Sequence, residues 1–139
     1  GRATAANAAQ GEAGGKLADF RLLLGNFYGV ASILHLADLF GPNYLPSMAG
    51  APPFAELPLP GQLAALVWCA AGFAAVAGTR LAPGRVGDAT LAFFALYEIL
   101  LVAVAGSVYG AGLQPVANTL VAQGAALAAY LYSAREDER

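Results

Sequence analysis

The chain has 139 residues, of which 58% are hydrophobic and 12% charged, and its formal net charge is −2. A soluble domain carries about 25% charged residues, so roughly half of the usual solvating surface is missing and a membrane is the natural solvent. The small net charge and the lack of a basic stripe exclude nucleic acid as a partner, and a single cysteine, Cys69, excludes an internal disulfide.

Residues 1–19 form a small-residue arm, GRATAANAAQGEAGGKLAD. It is basic at Arg2 and poor in acids. That composition fits a mature start left after a targeting peptide is removed, or a trimmed chain, and both readings stay open. Such an arm buries too little apolar surface to order itself, so it is expected to be flexible or held by a partner.

The membrane domain spans residues 20–134. A first apolar span covers about 21–40 and closes at Gly41-Pro42. About 20 residues at 1.5 Å each cross the hydrocarbon core, so its length suffices. Gly25 and Gly29 form a GxxxG pair that lets another helix approach closely. Residues 41–60 hold six of the eight prolines, which rules against regular helix or a central strand. Tyr44, Leu45, Met48, Phe54, Leu57 and Leu59 are interleaved with them. A loop this apolar is expected to lie along the membrane surface or against a partner.

A second span, about 61–79, is Ala-rich and contains Trp68. Arg80-Leu-Ala-Pro-Gly-Arg85 then makes a tight turn around Pro83-Gly84. The third span, about 86–107, has Asp88 near its start, where the helix dipole favours an anion. A Gly-rich connector follows, and Pro115 opens a fourth span of about 115–133. Tyr130 and Tyr132 at one end, and Tyr44 and Tyr109 at the other, sit where aromatic belts are expected. Residues 135–139 are a charged, solvated tail.

Charge fixes the orientation. All seven Lys and Arg fall at Arg2, Lys16 and Arg21, at Arg80 and Arg85, and at Arg135 and Arg139. The other two connectors carry none. If every span crosses, the positive segments share one face, which the positive-inside rule places on the stromal, matrix or cytoplasmic side. The reading is therefore all-α: a four-transmembrane-helix bundle with both termini on that face.

Function, where legible, lies in polar groups at membrane depth, because these are costly in lipid. Glu98 falls near the middle of the third span and Gln123 near the middle of the fourth, at similar depth in antiparallel neighbours. A carboxylate there must be protonated, paired or wetted. Glu98 therefore either hydrogen-bonds Gln123 to fix packing, carries a proton or metal, or meets a cofactor or partner. His35 is the one histidine, and Asp38, three residues on, is a ready partner on nearly the same helical face. Alternatively His35 offers one nitrogen to a metal. A lone His cannot complete a protein-only zinc or di-iron site, but it can be the single axial ligand of a chlorophyll Mg. The amide oxygens of Gln123, Asn118 and Asn26 are donors that hard cations also accept. Polar residues packed between helices would carry the same pattern. No Gly-x-Ser-x-Gly, Walker loop, His-Glu-x-x-His or Cys-x-x-Cys occurs, and no inverted repeat or broken helix suggests a transporter. Catalysis by this chain alone is not expected.

Arg21-Leu-Leu-Leu-Gly25 opening one helix and Gly78-Thr-Arg80 closing another resemble the small four-helix DoxX-like family, over about half of the chain and without its Pro-rich connector. That resemblance implies a subunit of a quinone or redox membrane complex, respiratory or similar, with Glu98 in proton or quinone contact. It would sit in a mitochondrial inner or bacterial plasma membrane. A short, Ala/Gly-rich, processed four-helix chain also resembles, in type, the nuclear-encoded accessory subunits of algal photosystem I–antenna supercomplexes. It is not similar to the light-harvesting chlorophyll-binding family, whose helices pair an intramembrane Glu with an Arg, because no Arg lies near the depth of Glu98. The photosystem resemblance implies a non-catalytic thylakoid scaffold among other subunits of a large complex. Such a scaffold would touch lipid and pigments: chlorophyll at His35, Gln123, Asn118 or Asn26, and carotenoid. It would also account for an ordered arm and an apolar loop. A small transporter or channel is a third class.

Overall fold

The computed structural model describes residues 2–138, with side chains from 15 to 136. Four helices make up the chain: α1 (Arg2–Asp38), α2 (Leu59–Leu81), α3 (Arg85–Tyr109) and α4 (Gln114–Glu138). Two short 3-10 turns, Pro46–Ala49 and Phe54–Glu56, lie in the long connector. Three segments are long and apolar enough to cross a bilayer: Gly15–Asp38 in α1, all of α2, and all of α3. The fourth helix has the length, but Gln114, Asn118, Thr119 and Gln123 and its charged end dilute its hydropathy.

Proline and glycine set the boundaries. Pro58 precedes α2 and Pro60 lies in its first turn, where the missing amide costs nothing. Between α2 and α3 the turn needs only Ala82, Pro83 and Gly84, and Gly84 takes φ 98°. Gly110 ends α3 in the left-handed region at φ 72°, its amide bonded to the Gly106 carbonyl. The Pro-rich connector stays irregular but folds back on the bundle. Ala49 and Ala51 are buried, Leu45 packs against the core, and a Cβ on Gly50 would stand 3.1 Å from the Cβ of Ala111. The two connectors that lack Lys and Arg therefore meet at one end of the bundle.

The backbone of the arm continues α1 back to Arg2, making a helix of 37 residues, about 55 Å long. Alanine dominates the arm and has the highest helix propensity, which suits this extension.

Helix α1 packs on α2 and α4, and α3 packs on the same two, so the four form a closed ring in chain order. Small residues bring α1 and α2 together. A Cβ at Gly25 would collide with Thr79 and one at Gly29 would meet Val76 at 2.7 Å, so the GxxxG face is turned onto α2. Deeper along the same seam Ser32 sits against Gly72. The core is Tyr28, Trp68, Ala71, Ala75, Leu91 and Phe94. Tyr28 and Phe94 lie across the ring with centroids 4.4 Å apart, a pairing that adds about 0.5–1.5 kcal/mol beyond burial.

A mid-bundle polar chain and its neighbours

Each helix delivers polar side chains to defined levels. At the charged end, Arg21 of α1 donates Nε to Asp88 Oδ1 at 2.8 Å and a second nitrogen to Asp88 Oδ2 at 3.1 Å. This is a bidentate fork, which matches guanidinium to carboxylate geometry. The same guanidinium reaches the Tyr130 hydroxyl of α4 at 3.4 Å. Asp88 is thus the counter-ion of Arg21 as well as a favourable charge for its own helix start. Beside it, Arg80 of α2 donates to Asn26 Oδ1 of α1.

At mid-bundle, Gln123 Nε2 donates to Glu98 Oε2 at 2.7 Å, the partnership expected from their matched depth. The Tyr28 hydroxyl in turn donates to Gln123 Oε1 at 2.6 Å. Three helices are joined by a Tyr28–Gln123–Glu98 chain in which the amide uses both of its ends. Tyr28 was not among the residues singled out from sequence. The signal was available, because a phenol far from either helix end needs a buried acceptor. A cavity of about 80 Å³, lined by Leu24, Tyr28, Asp88, Ala95, Gln123 and Tyr130 among others, extends from this chain toward Asp88. It is large enough to admit water and has polar groups to hold it.

The level of His35 differs from expectation. Asp38 does not partner it. The Asp38 carboxylate accepts the amides of Tyr44 and Leu45 at 2.7 and 3.1 Å, tying the connector to the end of α1. The chain reverses there and leaves amides without helical partners, which an acceptor-only side chain satisfies. His35, 4% exposed, lies against Trp68 with ring centroids 3.6 Å apart. The buried atoms His35 Nε2, Trp68 Nε1 and Ser32 Oγ have no hydrogen-bond partner among the described residues. Cys69 directs its thiol at the Ser32 carbonyl at 3.7 Å.

The sequence-nominated ligands are therefore dispersed rather than gathered. Gln123 and Glu98 engage each other, Asn26 engages Arg80, and Asn118 is exposed and accepts from Gln114 at 2.8 Å. His35 is two levels away beneath an indole. Among the described residues no group of three or more His, Cys, Asp and Glu stands close enough to hold a metal ion.

Beyond these levels, Tyr97 of α3 donates to the Ala64 carbonyl of α2 at 2.7 Å. The outer faces are apolar: Leu23, Phe27, Val30, Ile33, Leu96, Leu100, Val104 and Val121 are all more than half exposed. No protein family, curated protein or solved structure matches this chain.

Proposed function

We propose that this chain is a non-catalytic accessory subunit of a large photosynthetic membrane complex, a four-span scaffold in the chloroplast thylakoid with both termini on the stromal side. The observation that carries the reading is the Tyr28–Gln123–Glu98 chain. These three side chains bond to one another between helices, a use that fixes the bundle and needs no substrate. Function then falls to the outer faces, which suit burial against lipid, pigments and neighbouring subunits. The exposed Phe40, Tyr44 and Met48 at the end without Lys or Arg extend that surface beyond the helices.

Chlorophyll is the pigment class that a single neutral donor can ligate. Asn118 is the accessible donor, since its amide oxygen keeps a second lone pair beside the bond from Gln114. The unpartnered Nε2 of His35 has the right chemistry, but the imidazole is buried and the Trp68 ring packs against it at a tilt of 44°, which leaves no room for a macrocycle on that side. A ligand role for His35 requires that the indole turn away.

The test is to purify the native complex in mild detergent and record its absorption spectrum. Red and blue chlorophyll bands that co-migrate with this chain support the reading. Haem bands alone, or no pigment, overturn it and favour the second reading, a respiratory or DoxX-like redox-complex subunit. The observation on that side is the cavity of about 80 Å³ between the polar chain and Asp88, a route by which water reaches the partner of Glu98.

A further inference from the structure

At the charged end, Arg21 forks onto Asp88 and Arg80 donates to Asn26, and Arg85 is left over. Arg85 opens α3, is exposed, and has no hydrogen-bond or ion-pair partner among the described residues. The acid nearest to it in sequence is Asp88, whose two oxygens already hold the Arg21 guanidinium.

An open groove of about 660 Å³ leads away from Arg85 along the outer face between α2 and α3. The two helices close on each other at its charged end. A Cβ on Gly78 would collide with Thr90 there, and one on Gly87 would stand 3.0 Å from the Gly78 carbonyl oxygen. Ala70, Ala71 and Ala74 of α2 line the groove with Ala89 of α3, none with a side chain beyond Cβ. Ala71 belongs to the core and forms the floor, so the groove opens outward to lipid. Phe93 marks its deep end, eight residues and about 12 Å along α3 from Arg85. Thr90 is the other polar lining residue, and its hydroxyl is spent on the Gly87 carbonyl at 2.7 Å. An apolar trough thus runs into the membrane from one unpaired cation.

We propose that this groove seats an acyl chain of one anionic phospholipid, with its phosphate on the Arg85 guanidinium. The fork of a guanidinium matches phosphate oxygens in pairs, and basic residues at a membrane surface draw anionic lipids. A zwitterionic lipid carries its own ammonium, which competes with Arg85 for the phosphate. A pure hydrocarbon fills the trough and leaves the cation unpaired, whereas a free phosphate pairs the cation and leaves the trough unused. The assignment does not depend on which complex hosts the chain.

The purified chain can be titrated with phosphatidylglycerol, or with phosphatidylcholine of the same acyl chains, and read by native mass spectrometry. We expect one phosphatidylglycerol per chain, held about fivefold more tightly than phosphatidylcholine, the effect of one basic residue at a membrane surface. Arg85→Gln should abolish that preference. Arg135→Gln, which removes the same charge from α4, should keep it. Ala74→Phe and Ala89→Phe place a ring in the groove from exposed positions and should weaken retention of both lipids. Unaltered helicity and unfolding midpoint exclude a folding defect as the cause. Equal retention of the two lipids overturns the headgroup contact, as does a preference that survives Arg85→Gln or falls equally in Arg135→Gln. Retention undiminished in both Phe variants overturns the groove. Displacement of the lipid by an equal concentration of glycerophosphate, the headgroup without chains, reduces the site to an anion contact and overturns the lipid. Dimers that form with the wild-type chain and vanish in Arg85→Gln overturn it in favour of a second copy.

Discussion

Gln123, only 7% exposed, gives its amide N–H to Glu98 across 2.7 Å while its amide oxygen takes the Tyr28 hydroxyl. Gln123→Leu removes both bonds at once and leaves a carboxyl and a phenol facing leucine. The expected loss is about 1–2 kcal/mol, since interhelical hydrogen bonds in membranes average about 0.6 kcal/mol each and unpaired buried groups cost more. Tyr28→Phe breaks one bond and keeps the ring on Phe94, so about 0.5–1 kcal/mol is expected. Unfolding in mixed micelles orders the two. A Tyr28→Phe effect as large as that of Gln123→Leu would break the two-ended role of the amide.

The α1–α2 seam makes an independent prediction. A Cβ at Gly72 would collide with Ser32 and stand 3.1 Å from the Phe94 ring, whereas one at Gly124 has nothing within 4 Å. Gly72→Ala should destabilise by about 1–3 kcal/mol through overpacking. Gly124→Ala should leave the midpoint unchanged or raise it, since alanine is the better helix former by about 1 kcal/mol in water. Equal responses at the two sites would mean that helix propensity, not the close approach, governs this bundle.

Most of the fold was legible because its determinants are local. Runs of apolar residues, Pro83-Gly84 and Pro115 mark α2, α3, the start of α4 and the turns within a few residues, while the start of α1 at Arg2 lies well before the first apolar run. The Glu98–Gln123 bond was legible too, since antiparallel neighbours of known length put matched positions at matched depth. Side-chain choices at a reversal were not. Asp38 lies one helical turn from His35, yet it serves the amides of Tyr44 and Leu45, which only the path of the connector brings near. Arg21 and Asp88 are 67 residues apart, and the pairing depends on which helices are neighbours in the ring. The rotation of α1 that puts His35 under Trp68 follows from Gly25, Gly29 and Ser32 all facing α2, a packing preference with no single-residue signature.

Topology can be read by thiol labelling in a Cys69→Ala background. Cysteines at Pro83 and Arg135 lie at the charged end, and one at Leu113 lies at the end where the connectors meet. In sealed vesicles an impermeant maleimide should reach Pro83→Cys and Arg135→Cys from one side and Leu113→Cys only from the other. Labelling of Arg135→Cys from the Leu113 side would mean that α4 does not cross. The scaffold would then have three spans with its termini on opposite faces.

Glu98→Gln separates scaffold from proton carrier. The replacement keeps size and an amide oxygen able to accept from Gln123, so the helix-to-helix bond survives and stability should change little. A scaffold needs only that bond, and turnover of the host complex should remain at its wild-type level across pH. A proton carrier needs a group that titrates, which the amide does not do. Its loss would appear as a large drop in turnover at unchanged stability and unchanged subunit content. Glu98→Leu calibrates the comparison: it removes the acceptor as well, so under the scaffold reading it destabilises the bundle and turnover falls only as assembled complex is lost. Turnover that collapses in the Gln variant while the complex stays assembled would assign Glu98 to proton transfer. The route from the charged end would then be the cavity between Asp88 and Gln123.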